Sequence, residues 1–420
     1  MCARFNLMTE LERPLAAPRR TGPLAGVRVL DLTAVVLGPL ATQILGDYGA
    51  DVIKVEPPEG DLMRANGVSR KPGMSSIFLA INRNKRSLAI DLKRPQGAAA
   101  LRRLLPTVDV LVHNMRTAAI ERLGLGAAAC AAIHPRLIYC VATGFGEDGP
   151  DAGKPAFDDV IQAACGLAGL IGHDTSEPGY VPSLIADKTT GMALANAILA
   201  ALFERTQSGL GQTVEVPMFE TMVAFTLAEH LGGRSFEPAL GPAGYARLLA
   251  GGRKPAPTLD GHVALLPYTG QHWYKFFMRA GRQDLAEQYG GNDRQTRNAR
   301  VKELYAEMTA ITRTLSTQAL LDLCRELDIP ATRIHAIDDL PEHPHLRAVG
   351  MFQRQQHPTV GAIVAVRPAT RFARTPAELA LHAPELGEHS LGVLQEAGFT
   401  PDEITALRAQ NIITVPETTP

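Results

Sequence analysis

The chain is 420 residues long, enough for more than one domain and a large buried core. Lys plus Arg (42) and Asp plus Glu (43) nearly cancel, and apolar residues make up 45%. That balance argues against a nucleic-acid-binding or membrane-surface protein, which would need a basic excess. The longest apolar run, Met192 to Phe203, is too short to cross a bilayer and contains Asn196. Five scattered cysteines (Cys2, Cys130, Cys140, Cys165, Cys324) form no CxxC pair and no Cys/His metal spacing. A cytoplasmic protein with reduced thiols and no metal site is the expectation. Residues 1–22 lack an apolar signal core and read as a flexible leader.

From Val27 the elements follow a clear order. Val27–Leu32 reads as a strand, Gly38-Pro39 as a break, Ala41–Tyr48 as a helix and Asp51–Glu56 as a second strand stopped by Pro57-Pro58. Helical Gln96–Leu105 leads into strand Val108–Val112, and helical Ala127–Ile133 into strand Leu137–Ala142. Short apolar strands alternating with helices of about ten residues predict a parallel sheet of βαβ units. The pattern changes after Val216. A helix over 217–232 precedes a Gly-, Pro- and Arg-rich stretch, then strand His262–Leu266 and helices over 271–281, 301–314 and 316–327. The fold class expected is α/β, with a large domain over 23–224 and a smaller α+β domain over 225–330. Residues 331–420 return to the large domain, with a strand at Ala362–Val366 and helices at His389–Ala397 and Pro401–Gln410.

A strand, a glycine turn, a helix and a second strand ending in Glu56 invite a dinucleotide reading. That motif needs G-x-G-x-x-G for close approach to a pyrophosphate, and Gly38-Pro39-Leu40-Ala41 offers one glycine and a proline. The βαβ architecture is retained and a nicotinamide or flavin cofactor is not expected.

The segment Pro182-Ser-Leu-Ile-Ala-Asp-Lys-Thr-Thr-Gly191 places Asp187 just ahead of the long apolar run. An acid there sits at a helix N-terminus, where the dipole and free N–H groups favour its ionised form. A positioned carboxylate of this kind acts as a covalent nucleophile on an activated acyl group. An ordinary N-cap is the competing reading, since Asp is among the best capping residues.

Other segments add to it in order along the chain. They are Val29-Leu-Asp-Leu-Thr33, Gly49-Ala-Asp-Val-Ile-Lys-Val-Glu-Pro-Pro58, Asn82-Arg-Asn-Lys-Arg-Ser87, His113-Asn-Met-Arg116, Glu121-Arg-Leu-Gly-Leu125 and Gly144-Phe-Gly-Glu-Asp-Gly-Pro150. After Asp187 come Gly209-Leu-Gly-Gln-Thr-Val-Glu-Val216, Leu346-Arg-Ala-Val-Gly-Met-Phe352 and Gly387-Glu-His389. The chain closely resembles the class III CoA-transferases, a group with formyl-CoA and carnitine CoA-transferases and the related α-methylacyl-CoA racemases. The resemblance implies a Rossmann-like CoA-binding large domain, a small domain and an interlocked homodimer. It implies transfer of CoA from a donor acyl-CoA to an acceptor carboxylic acid, with CoA a substrate and no resident cofactor.

By that resemblance Asp187 is the nucleophile. Val36, Leu37, Gly38, Ile90, Lys93, Asn114 and Arg122 fall on positions that line the CoA site of relatives. Arg83, Lys85, Arg86, Arg94 and Arg116 are further candidates for the CoA phosphates. Three departures stand out. Ala34 and Val36 replace a His and a Gln of formyl-CoA transferase-like members, Pro57 replaces a basic residue, and Leu248-Leu-Ala-Gly-Gly-Arg-Lys-Pro255 replaces their glycine-rich loop. An oxalate specificity is therefore not expected; Arg247, Arg253 and Lys254 offer cations for an acidic acceptor or form a plain surface loop. In racemase relatives one of two proton-exchanging groups is a His at the position of Phe157. Phenylalanine carries no exchangeable proton, which favours transfer over racemisation. Asp158 and Asp159 beside it read as helix-start acids.

Overall fold

The computed structural model describes residues 21–416 apart from 174, 250, 252, 292 and 293, with the backbone alone at 294–296. The leader expected over 1–22, all but its last two residues, and Cys2 lie outside the described residues. The chain forms two compact units, one of residues 21–168, 180–225 and 348–416, the other of residues 169–179 and 226–347.

The first unit is built on seven strands: β1 (Arg28–Leu32), β2 (Asp51–Glu56), β3 (Lys85–Ile90), β4 (Val110–His113), β5 (Ile138–Val141), β6 (Thr213–Glu215) and a C-terminal strand Ile413–Thr414. Their order across the sheet is C-terminal strand, β3, β2, β1, β4, β5, β6. β1 to β6 are parallel, and the C-terminal strand pairs antiparallel with β3. Because helices cover both faces, the strands are apolar on both sides. Val29, Val52, Val110, Val112 and Ile138 enter one core, while Leu30, Ile53, Leu88, Leu111 and Tyr139 enter the other.

The helices of this unit include, in chain order, α1 (Leu37–Asp47), α2 (Ser76–Ile81), α3 (Pro95–Leu104), α4 (Thr117–Arg122), α5 (Ala127–Ile133), α6 (Asp158–Ala164), α7 (Ile185–Ser208) and α8 (Met218–His230), the last running on into the second unit. The break expected at Gly38-Pro39 is instead the first turn of α1. N–H groups of a first turn have no partner within the helix, so a proline there costs little. Gly191 of α7 lies so close to α1 that a Cβ on it would stand 2.6 Å from the Leu37 carbonyl oxygen. α7 ends at Gly209, in the left-handed region at φ +77°.

The second unit has a three-stranded antiparallel sheet of Ala256–Pro257, His262–Leu265 and Ala331–Arg333. Its core gathers Trp273, Phe276, Phe277, Leu304, Tyr305 and Leu320 from the helices Gly270–Arg279, Val301–Thr312 and Thr317–Glu326. After Arg347 the chain forms a hairpin, Phe352–His357 with Gly361–Val366, and then the helices Ser390–Glu396 and Pro401–Ala409. Among the described residues no helix is long and apolar enough to cross a membrane.

Candidate active site

The strand order reverses between β1 and β4, and at such a switch point the loops after the two strands part. A cleft of about 930 Å³ opens there, within the first unit. Its wall follows the carboxyl ends of five strands: Leu32, Ala34, Val35 and Leu37 at the end of β1 and after it, Glu56–Glu59 at β2, Ile90–Lys93 at β3, Asn114–Arg116 beyond β4 and Ala142–Gly144 beyond β5. Small-molecule sites span roughly 300–1,000 Å³, so this cleft is at the roomy end of that range.

The loop after β1 is held from below by buried polar side chains. Asp31, fully buried, accepts from the Thr33 N–H (2.9 Å), the Thr42 hydroxyl (2.6 Å) and Lys85 Nζ (3.0 Å). Lys54 Nζ donates to the Thr33 carbonyl (3.0 Å) and to Asp61 (2.8 Å), and Asp61 accepts from the Val35 N–H (3.2 Å). Glu56 takes a bidentate pair from Arg64 (2.7 Å each) and a bond from Ser87 (2.8 Å). Asp31, Glu56 and Asp61 balance Lys54, Arg64 and Lys85, so no net charge is buried. Burial pushes the Asp31 carboxyl up, but Lys85 and Lys54 outweigh it and hold the pKa at about 2. Burial is also the main influence on Lys85, lowered to about 8 despite Asp31 beside it.

What this network fixes is an unusual backbone. Val35 has φ +71°, a region that β-branched residues avoid at a cost of about 1–3 kcal/mol. Asn114 closes the switch point over it, accepting from the Ala34 N–H (3.0 Å) and donating to the Ala34 carbonyl (2.8 Å). Ala34, Val35 and Leu37 are thereby presented to the cleft.

Of the residues singled out in the sequence, Asp187, Leu37, Ile90, Lys93, Asn114 and Arg122 line the cleft. Val36 and Gly38 do not. Val36 is buried as the N-cap of α1, and a Cβ on Gly38 would meet the Thr33 side chain at 2.3 Å. The basic candidates divide sharply. Arg83 pairs with Asp47 (2.7 Å), Lys85 with Asp31, and Arg86 with both Asp51 (2.6 Å) and Glu396 (2.8 Å), so these three stabilise the fold. Lys93, Arg116 and Arg122 line the cleft with exposed side chains and form no ion pair among the described residues. Arg94 is exposed at the N-cap of α3 and does not line it.

Asp187 is the third residue of α7 and only 8% exposed. Its backbone N–H donates to Asp158 Oδ1 (2.9 Å), and Gln162 Nε2 donates to Asp158 Oδ2 (2.7 Å). Against the preference of the helix N-terminus for the ionised form stand two opposing influences, which still leave Asp187 mainly a carboxylate at neutral pH. Burial, and then the neighbouring Asp158 charge, raise its pKa from 3.8 to about 6. The capping role belongs to Asp158, 29 residues upstream, and Asp187 is left to face the cleft. Asp158 and Asp159 do open a helix, α6, as expected. Asp158's hold on Asp187 was not legible; its only trace was the i,i+4 spacing to Gln162. Phe157, 64% exposed, lines the cleft beside Ala156 and Met218. The loop that carries Glu147 is pinned by Glu215, which accepts the Glu147 N–H (2.9 Å), and by Glu220, which accepts the Gly146 N–H (2.9 Å).

A doubly wound sheet with its cleft at the switch point is the arrangement in which α/β proteins bind ligands beyond the carboxyl ends of the strands. The chain belongs to CoA-transferase family III, which it matches over residues 24–390, and is an enzyme of that class. It is 31% identical over 409 residues to the succinyl-CoA–D-citramalate CoA-transferase of Chloroflexus aurantiacus, covering 95% of this chain and 100% of that one. It is 31% identical over 391 residues to the human succinyl-CoA:glutarate CoA-transferase, with 91% and 88% covered. A CAIB/BAIF family protein from Brucella suis has a similar structure, with a TM-score of 0.76, 29% identity and 90% and 100% coverage.

Proposed function

We propose that the protein transfers CoA from a donor acyl-CoA to an acceptor carboxylic acid, with Asp187 as covalent nucleophile. The observation that carries this reading is Asp187 itself, a buried carboxyl on the wall of a roomy cleft, aimed there because another acid caps its helix. CoA lies along the strand ends, its phosphates met by Lys93, Arg116 and Arg122 and its thioester directed to Asp187. With Pro57 on the wall in place of a base, the charge-assisted contacts fall to these three cations.

The chemistry proceeds by four exchanges. An Asp187 oxygen attacks the donor thioester carbonyl, the C–S bond breaks, and a mixed anhydride and CoA thiolate result. The thiolate attacks the aspartyl carbonyl, the bridging C–O bond breaks, and the donor acid leaves as its carboxylate. The acceptor carboxylate then attacks the aspartyl-CoA thioester, forming a second anhydride and releasing thiolate. Finally the thiolate takes the acceptor's acyl carbon, and Asp187 departs as carboxylate. Thioester energy is kept in covalent form throughout, so no ATP is consumed. Succinyl-CoA is the first donor to try and dicarboxylic acids the first acceptors, in keeping with the relatives' names. An interlocked homodimer in the cytoplasm is part of the proposal.

The test is LC–MS of CoA exchange from a panel of acyl-CoA donors to carboxylic acids, in deuterated water, for the wild type and Asp187→Ala. Acceptor-dependent exchange lost in the variant supports transfer. Deuterium at the α-carbon without any acceptor would support the racemase alternative, against which Phe157 stands.

A further inference from the structure

The second and third exchanges share one demand. When the thiolate, and later the acceptor carboxylate, adds to the aspartyl carbonyl carbon, the carbonyl oxygen takes up negative charge. A hydrogen-bond donor aimed at that oxygen lowers such a barrier. The backbone at the start of α7 has little to give. Of the first four N–H groups, that of Ile185 donates to the Ser183 carbonyl (2.6 Å), that of Asp187 to Asp158 Oδ1 (2.9 Å) and that of Lys188 to the Leu184 carbonyl (3.1 Å).

One turn further along α7 stands an idle donor. Thr190 is fully buried, and its Oγ1 has no hydrogen-bond partner among the described residues. A helical threonine can give its hydroxyl proton to the carbonyl four residues back. In this chain Thr42 does so to Gly38 (3.2 Å), Thr221 to Pro217 (2.6 Å) and Thr405 to Pro401 (2.8 Å). Thr190 makes no such bond to Ala186. Asp187, Thr190, Gly191 and Leu194 belong to the buried face of α7. Residues three apart on a helix are neighbours, and their side chains lean toward its N-terminus. The Thr190 side chain therefore leans over the turn that carries Asp187. Valine would fill the same space without stranding a polar atom, so packing alone does not account for the hydroxyl.

We propose that Thr190 is a catalytic residue of the transfer, its hydroxyl donating to the aspartyl carbonyl oxygen once Asp187 is acylated. The proposal rests on Asp187 being the nucleophile. In the second exchange the thiolate sulfur bonds to the aspartyl carbon, and the C=O pair moves onto oxygen, where the Thr190 O–H meets it. The pair returns, the bridging C–O bond breaks, and the donor carboxylate leaves. In the third exchange an acceptor oxygen bonds to the same carbon, the charge reaches the same hydroxyl, and collapse expels the thiolate. Thr190 keeps its proton throughout, so it serves both directions of transfer. In the free enzyme Asp187 faces the cleft and the hydroxyl waits unused.

Thr190→Val removes the hydroxyl at nearly constant shape, and Thr190→Ser keeps it. Thr190→Ala repeats the deletion with less bulk, should valine disturb the contact between α1 and α7. Each protein is charged with succinyl-CoA, or with whichever donor supports turnover, and the aspartyl-CoA form is isolated and verified by intact mass. Its decay in hydroxylamine, which attacks that carbonyl and expels the thiolate, is timed in the folded protein and again in urea. The expected result is decay slowed about 10²-fold or more in folded Thr190→Val and Thr190→Ala, with Thr190→Ser close to the wild type. In urea all four should decay alike. A wild-type rate in the folded deletion variants, or a slowing that Thr190→Ser does not restore, would overturn the proposal and leave the nucleophile intact. A CoA adduct on Asp187→Ala would instead overturn the nucleophile reading beneath it.

Discussion

Replacing the nucleophile should make the protein more stable, in a way that depends on pH. Burial and Asp158 raise the Asp187 pKa from 3.8 to about 6. A carboxyl whose folded pKa is raised binds its proton more tightly in the native state. Its stabilising contribution is complete below the unfolded pKa and is lost as pH climbs through the folded one. The displacement corresponds to about 3 kcal/mol lost between roughly pH 4 and 7. Asp187→Asn is neutral throughout and avoids that loss. Thermal denaturation of both proteins should therefore give similar Tm values near about pH 4, then a widening gap in favour of the variant. At about 2 °C per kcal/mol for a unit of this size, the variant should melt roughly 6 °C higher at neutral pH. A gap that does not vary with pH, or a wild type that melts higher at neutral pH, would refute the reasoning.

Other consequences follow from the same geometry. Gly191→Ala puts a methyl group 2.6 Å from the Leu37 carbonyl oxygen, a backbone atom that cannot step aside. It should cost about 1–3 kcal/mol by urea denaturation, although Ala is the better helix former. Lys85→Met leaves the fully buried Asp31 without its closest cation and should cost roughly 3–5 kcal/mol, with Asp31→Asn in the same chain recovering part of it. Lys93→Gln and Arg122→Gln should each weaken CoA binding in isothermal titration, and each should flatten its dependence on salt, whereas Arg83→Gln should leave both unchanged and lower Tm.

The alternation of apolar strands with short helices was enough to place β1, β2, β4 and β5 within a residue or two, because strands covered on both faces leave a plain apolar signal. β3 was harder to read. Lys85-Arg86-Ser87 looks like a solvated or phosphate-binding stretch, and all three residues are buried. Their polarity is absorbed by Asp31, Asp51, Glu396 and Glu56, partners that lie between 31 and 310 residues away. The cleft's wall was foreshadowed by the same motifs, and the structure gives some of them a structural task as well. Asn114 serves the Ala34 backbone before it serves any ligand. Gly38 serves packing against Thr33. Asp187 was marked by its place before an apolar run, yet local rules gave the wrong sign for its acidity. Burial in the folded unit raises its pKa first and the Asp158 charge from a second helix adds to that, and neither is visible within one helix's sequence. A local pattern identifies which residues carry chemistry; the tertiary contacts determine their proton affinity.

The most direct test of the central claim is the mass of the protein after brief incubation with succinyl-CoA and other donors, followed by hydroxylamine and peptide mapping. The account predicts a CoA-sized increase on the wild type that hydroxylamine removes, leaving a hydroxamate on the peptide that contains Asp187. No increase with any donor that supports turnover, or a hydroxamate mapped to a different carboxyl, would contradict it.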